Sequence, residues 1–355
     1  MDLDYILNGQ PSGDVASRLM DNNCNPACLR PWMGENGKSY ISVFNKSGVL
    51  EARQVSNVTT TLRKDDWKIL DDAIVKAAQP RLKAVADLRA AGLTFTIANG
   101  MGKTVLETET RSDVDPAIVS MDGMRESPND RPVFELGSLP LPIIHKDFSF
   151  PLRQVMASRN GGSPLDTTMA EMCGRKVAES AEQLLLGIHA TADQYAYGGG
   201  TIYGYTDFPS RMTRTLTTPT GASTDGANAL TDVLAMRTQL QGAYHYGPYV
   251  LYVSPTWDQF LDDDFKAASD KSIRQRLGEV DGISGIRTLD YLTNYDMIMV
   301  QMTSDVVREV IGMDITTVQW ETKGGMQLNF KVMAILVPQL RADQNSRTGI
   351  VHGSV

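Results

Sequence analysis

The chain has 355 residues, 42% of them hydrophobic, and a formal net charge of -8. That length and apolar content can bury a core in two or three structural units. The acidic balance argues against a large electrostatic footprint for nucleic acid, and no apolar run reaches the ~18 residues that span a membrane. The first residues, Met1-Asp-Leu-Asp-Tyr-Ile-Leu, lack the basic start and apolar centre of a secretion signal. Cys24, Cys28 and Cys173 make no disulfide framework, so a reducing compartment is the expected setting.

Residues 1–58 read as an arm. Asn, Gly and Pro are frequent around Asn22-Asn23-Cys24-Asn25-Pro26 and Arg30-Pro31-Trp32-Met33-Gly34, and turn signals separate short apolar pieces such as Tyr40-Ile-Ser-Val-Phe44. Such a segment buries little of itself. Trp32 and Phe44 suggest that it is laid against another surface.

Residues 59–92 form a helical region. Trp67, Leu70, Ile74, Ala77 and Ala78 supply an apolar face, Pro80 kinks or splits the helix, and Leu82, Val85, Ala86 and Leu88 continue the pattern to Gly92. Between 93 and 110, Leu93-Thr-Phe-Thr-Ile97 and Thr104-Val-Leu-Glu-Thr-Glu-Thr110 alternate at period two about a turn at 98–103, which predicts a β-hairpin. The polar stretch 111–131 has few core residues. A long excursion of that kind is usually disordered or completed by a neighbour. It returns into an expected strand at 139–150, so its two ends should lie close together.

Residues 164–189 carry the longest helical pattern. Leu165, Met169, Met172, Cys173, Val177, Ala181, Leu184, Leu185 and Ile188 trace one stripe, with Ser163 as N-cap and Pro164 at the first helical position. About 25 residues would make a rod of roughly 37 Å. Gly174 and Gly187 lower its helix propensity, so packing must hold it. After a Gly/Tyr turn region (195–209) and a Thr/Gly-rich linker (213–225), residues 227–310 read as an α/β unit with buried strands at 249–253 and 297–300. The last part is β-rich, with strands expected at 306–311, 314–320 and 326–337, a turn at Lys323-Gly324-Gly325 and a polar tail after Pro338.

Motifs that would mark catalysis are incomplete. Gly100-Met-Gly-Lys-Thr104 resembles a phosphate-binding loop, but Ile97 stands where the first Gly is needed, and a strand pattern follows where a helix should. Gly282-Ile-Ser-Gly285 lacks the closing Gly of a nucleophile elbow. His145, His189, His245 and His352 lack metal-ligand spacing. Cys24 and Cys28 have no second ligand pair nearby. The acidic cluster Asp262, Asp263 and Asp264 near Asp258 has the chemistry to bind a cation, but it reads better as a solvated helix end.

Taken in order, the arm, the helix near Trp67, the long loop, the strand at 139–148 (Leu-Pro-Leu-Pro-Ile-Ile-His-Lys-Asp-Phe) and the spine-like helix at 164–189 resemble a tailed-phage major capsid protein of the Hong Kong 97 type, encapsulin-like branch. Gly200-Thr-Ile-Tyr-Gly204 resembles the turn after the family's spine helix, and residues 307–315 and 329–334 its closing strands. The resemblance covers about 60–340 and rests on order of pattern.

It implies an α+β capsid fold: an N-terminal arm (1–58), an extended β-hairpin loop (93–138), a peripheral domain (59–92, 139–224 and closing strands within 306–355) and an axial domain (225–305). It also implies many copies of the chain, as hexamers and pentamers, closing an icosahedral shell around packaged phage DNA. No enzyme activity, cofactor, metal or membrane is expected. Scaffolding, portal and decoration proteins are candidate partners, and the virion, assembled in host cytoplasm, is the expected location. Candidate subunit-interface residues are Trp32 and Phe44 on the arm and Met101, Lys103, Arg111, Arg125 and Glu126 on the loop. Lys103 makes cross-linking conceivable, but no local signature supports it. An encapsulin shell around an enzyme cargo is the alternative reading, and a soluble α/β enzyme the second. The long arm favours the phage, because encapsulins usually begin almost at the first helix. Deleting 98–130 is expected to leave a soluble fold and block shell closure.

Overall fold

The computed structural model describes residues 6–7, 10–11, 32–34, 38–44, 50–54, 62 and 64–355, apart from 112–116, 118, 122–123, 125–133, 162–166, 189–194, 221–224 and 267–270. In the arm, β1 (Ile6–Leu7) pairs with β2 (Gln10–Pro11), and β3 (Trp32–Met33), β4 (Ser39–Phe44) and β5 (Leu50–Gln54) form a small antiparallel sheet.

The expected helical region begins with α1 (Lys64–Ala78) and continues after a 3-10 turn at Gln79–Arg81 as α2 (Lys83–Ala90). Pro80 sits inside that turn, as its missing N–H and fixed φ demand. Then β6 (Thr94–Thr96) pairs in parallel with β16 (Val307–Thr322), which is antiparallel to β17 (Gln327–Leu340), which in turn pairs with β9 (Ile144–Pro151). This corrects the expected hairpin. The partner of β7 (Val105–Arg111) is β8 (Phe134–Pro140), not the 93–97 segment. Alternation alone marks both stretches as strands; it does not say which neighbour each will take. The expected strand at 139–150 is likewise two strands, β8 and β9, broken at 141–143. Pro140 and Pro142 remove two ladder donors there. The closing strands expected at 306–311 and 314–320 are one long strand, irregular in register between Ile311 and Thr316.

Helix α3 (Leu152–Gly161) is followed by α4 (Thr168–Leu186), the spine-like rod. Its 19 residues make it about 28 Å long, shorter than expected. Thr167 holds the cap position assigned to Ser163, and residues 162–166 and His189 lie outside the described residues. Gly187, read from sequence as a weakness inside the helix, ends it: its φ is 81°, and the Ile188 N–H donates to the Gln183 carbonyl at 3.0 Å.

The small strands β10 (Tyr195–Tyr197) and β11 (Gly200–Ile202) pair with each other. A five-stranded sheet follows, built from β12 (Met212–Thr215), β13 (Tyr249–Val253), β14 (Ile283–Thr288), β15 (Met297–Gln301) and β18 (Ile350–Ser354), in the order β12-β18-β15-β13-β14. Helices α5 (Asp225–Gly242), α6 (Pro255–Leu261) and α7 (Ile273–Gly278) belong to this unit. The sheet reaches beyond the expected 225–305. Residues 212–215 are a strand, not linker, and the tail read as polar supplies a central strand in which Ile350 and Val351 are fully buried. Side chains alternate across it. Leu251, Val253, Met297, Met299 and Val351 pack on the helices, while Tyr252, Ile298, Val300 and Ile350 join the core of α1, α2, α4 and β17. A sheet covered on both faces reads as unbroken apolar runs, as at 249–253 and 297–300.

Candidate assembly surface

The site-bearing feature is the β7–β8 hairpin. Its root is fixed by a close backbone crossing. Gly100, in the 3-10 turn Gly100–Gly102, lies so near Gly312 that a Cβ on it would sit 2.3 Å from the Gly312 carbonyl oxygen. The Ile97 N–H donates to the Ile311 carbonyl beside that crossing. The Asn99 side chain accepts from the Gly102 N–H at 3.1 Å, and Lys103 then leads into β7. A strand, not a helix, follows the Gly-Met-Gly-Lys-Thr stretch. Met101 and Leu106 pack against a cluster formed by Ile97, Leu139, Leu184 and Ile335, so the root is tied to the spine helix and the β16–β17 ribbon.

Beyond the root the described residues of the hairpin form a two-stranded ribbon, a form that is marginal in water without further packing. Phe134 and Leu136 lie on one face and are 54% and 67% exposed. Glu109 stands opposite Leu136, and Arg111 opposite Phe134. Further out, Val119, Met121 and Met124 are almost fully exposed. Large exposed apolar side chains on a ribbon and in the segment between its strands are characteristic of interaction surfaces. These residues were not among the sequence candidates, although the i, i+2 spacing of Phe134 and Leu136 in an otherwise polar stretch is a signal that could have found them.

The sequence candidates fall in three groups. Trp32 is half-buried, stacks on Tyr40 with ring centroids 5.2 Å apart, and packs against the chain's own main core. Met101 is half-buried at the hairpin root, and Lys103 beside it is exposed. Phe44 ends β4 and Arg111 ends β7, whereas Arg125 and Glu126 lie outside the described residues.

The spine helix joins the two main units through a buried polar cluster that sequence reasoning missed. Glu182 is 1% exposed. Its carboxylate accepts the Ala84 and Val85 N–H groups, at 2.6 and 3.2 Å, and so caps the first turn of α2. Burial pushes its pKa up to about 7, against the lowering effect of those two donors; Asp87 raises it further. Tyr205 and Tyr252 stack beside it at 6.1 Å, and the Tyr252 hydroxyl donates to Asp87 at 3.3 Å. Burial raises both tyrosine pKa values. On the other side of α2, Arg89 makes two hydrogen bonds to buried Glu309, at 2.8 and 3.1 Å.

Among the described residues no group of three or more His, Cys, Asp or Glu side chains could hold a metal ion. Among them, too, no helix is long and apolar enough to cross a membrane.

A family model described as "Family of unknown function (DUF6260)" matches residues 56–353. The chain belongs to that family. It is 25% identical over 197 residues to the type 1 encapsulin shell protein EncA of Myxococcus xanthus (strain DK1622), a match spanning 55% of this chain and 61% of the relative. The chain thus matches less than two thirds of that relative's length. The virus-like particle from Pyrococcus furiosus superposes with a TM-score of 0.57 at 17% identity, covering 81% of this chain and 99% of the other. The capsid of Myoviridae phage XM1 does so with a TM-score of 0.53 at 10% identity, covering 70% and 85%. Mycobacterium phage Bobi gives a TM-score of 0.52 at 13% identity, covering 74% and 89%. This member of the family therefore has the α+β fold of Hong Kong 97-type shell subunits, as its sequence resemblance implied.

Proposed function

We propose that the chain is a major capsid protein, a structural rather than catalytic subunit that assembles through many copies of itself into an icosahedral phage head enclosing DNA. The observation that carries this reading is the β7–β8 hairpin. It is a two-stranded ribbon with Phe134 and Leu136 exposed, and the segment between its strands leaves Val119, Met121 and Met124 exposed, on a fold shared with shell subunits. In this reading the hairpin is the extended loop and the unit around α4 and β16–β17 the peripheral domain. The five-stranded sheet with α5–α7 is the axial domain, and the segment ahead of α1 is the arm, anchored at Trp32 on the chain's own core. Hexamers and pentamers, with scaffolding, portal and decoration partners, follow from the same reading. So do assembly in host cytoplasm and residence in the virion.

A second reading is an encapsulin shell around a protein cargo, favoured by the match to a type 1 encapsulin shell protein. The 63 residues ahead of α1 favour the phage head. Electron microscopy of the purified chain tests the shared part: closed particles are expected, and monomers or dimers at every concentration would overturn both readings. Particles purified from the native source then separate the two. Nuclease-protected DNA inside marks the phage head, and a co-purifying enzyme marks the encapsulin.

A further inference from the structure

Helix α5 closes on a residue that its geometry disfavours. The His245 N–H donates to the Leu240 carbonyl at 2.9 Å and the Tyr244 N–H to the Gln241 carbonyl at 3.0 Å. This pair of bonds needs the residue after the cap in the left-handed region, where glycine is preferred. Gly187 fills the corresponding position at the end of α4, but here it is Tyr244, with φ 65°. A bulky residue at positive φ is an outlier that persists only where the surrounding structure holds it, and such outliers gather at functional sites.

The turn is held from several sides. The Tyr249 hydroxyl donates to the His245 carbonyl, the Gly247 N–H to the Gln301 side chain at 3.4 Å, and the Met302 N–H to the Pro248 carbonyl at 2.9 Å. The Arg347 guanidinium lies 4.9 Å over the Tyr244 ring and fixes its direction. Yet neither tyrosine of the turn joins a hydrophobic cluster of the described residues: Tyr244 is 66% exposed and Tyr246 67% exposed. A backbone outlier that brings its aromatic side chain no core contact within the chain is explained by a contact outside it. Tyrosines on a rigid turn suit that role, because little side-chain freedom is lost when they are covered.

The turn adjoins the base of the hairpin. A cleft of about 610 Å³ is lined both by residues 137–139 of β8 and by residues 243–245. Leu136, the next residue of β8, is exposed, so the apolar surface of the hairpin continues across the cleft to the two tyrosines. Glu109, Asp305 and Asp343 line the cleft together with Arg341 and Arg347, so its charges are close to balanced and mark no ionic ligand. What stands uncovered beside it is apolar and aromatic, which is the composition of the centre of a protein–protein interface. A second copy of the chain is the occupant that this position fits. A copy that covers Leu136 at the hairpin base comes down on the same cleft and meets the turn, so one neighbour covers both.

We propose that Tyr244 and Tyr246 form a copy-to-copy contact, covered together with Leu136 by a second copy of the chain. The proposal rests on the shell reading above and adds to it a contact on the five-stranded unit.

The test uses the full chain, purified without other proteins, as wild type, Y244G, Y246S and Y244F/Y246F. Y244G places the favoured residue at the helix end and should unfold no earlier than wild type in a thermal scan. Y244G and Y246S should nonetheless each form roughly ten-fold fewer particles, read by sedimentation and electron microscopy. Y244F/Y246F keeps both rings and should assemble like wild type. Hydroxyl-radical footprinting of wild type should label both tyrosines several-fold less in particles than in unassembled chains. Should Y244G unfold early, Y246S and the footprint decide, since Tyr246 lies outside the helix end. Variants that assemble like wild type, or tyrosines labelled equally in both states, would overturn the proposal, hand the turn to a different partner and leave the shell reading intact. A wild-type chain that never assembles removes the shell reading, and this proposal with it.

Discussion

The Glu182 carboxylate, near the end of helix α4, accepts the Ala84 N–H at 2.6 Å and so binds the spine helix to the start of α2. The group is buried and its pKa is raised from 4.5 to about 7, burial being the first cause. An acid whose native pKa is raised binds its proton more tightly when folded. Its contribution to stability is therefore fully present below pH ~4.5 and is lost as pH rises through ~7. A difference of that size corresponds to about 3 kcal/mol. Urea unfolding should show that loss between pH 4.5 and 8 in wild type and not in E182Q, which keeps an acceptor for the amide donors. E182Q should also be the more stable form at pH 8. An equal pH slope in both proteins would refute the assignment.

The Arg89–Glu309 pair supports a second prediction. Glu309 is 2% exposed, and burial raises its pKa against the lowering effect of Arg89. Arg89→Met leaves a buried carboxylate without its guanidinium, which should cost about 3–5 kcal/mol at neutral pH. The loss should shrink on acidification, because a protonated Glu309 no longer needs the cation. Arg89→Met combined with Glu309→Leu should recover most of it. Chemical denaturation at pH 5 and pH 8 reads both effects, and a double variant as weak as the single one would contradict this account.

A third prediction concerns Gly174, in the middle of α4. A Cβ there would lie 2.7 Å from the Ile74 Cγ2 and 3.0 Å from the Ile74 carbonyl oxygen. The glycine lets α1 and α4 cross closely. Gly174→Val should destabilise by about 1–3 kcal/mol through overpacking, despite the removal of a poor helix former. Pairing it with Ile74→Ala should return part of that loss, as measured by the shift in urea midpoint. A neutral Gly174→Val would mean that the helices can separate freely.

Gly174 also shows where the sequence stops being legible. Its low helix propensity is visible in the sequence; the neighbour that requires it is not. Long periodic segments could be read directly, as with the stripe on α4 and the apolar runs of β13 and β15, because each reports burial on its own faces. Pairings could not. Thr94–Thr96 and Val105–Arg111 both alternate, yet one joins β16 and the other β8. Ile350–Ser354 was read as tail because two apolar residues between glycines give no period, although a central place in the sheet buries them. Of the candidate surface, the projecting loop was visible as an excursion, and Lys103 and Met101 fall at its root. Phe134 and Leu136 fall just ahead of the strand expected at 139–150, so that strand's pattern does not single them out. Glu182 depends on partners 97 and 98 positions away along the chain, which no local pattern encodes.

The last prediction is a shortened hairpin. Removing 98–130 outright would take out the Gly100 crossing on Gly312 and the run into β7, so it would damage the root along with the projection. The register offers a cleaner cut. Glu109 lies opposite Leu136 and Thr108 opposite Gly137, so replacing 110–135 with Asn-Gly leaves Val105 to Glu109 paired with Leu136 to Pro140 through a two-residue turn. The root contacts of Met101, Leu106 and Leu139 remain. Thermal stability should change by no more than about 1 kcal/mol, because the removed residues have little core to lose. Particle formation should be abolished, because the exposed Val119, Met121, Met124 and Phe134 are gone. Leu136→Lys in the full-length chain is the milder test, adding a charge to an exposed apolar site without shortening the ribbon. It should leave unfolding unchanged and lower particle yield several-fold. Wild-type particles from the shortened chain, seen by electron microscopy, would show that subunits close without the hairpin and would move the assembly contacts elsewhere.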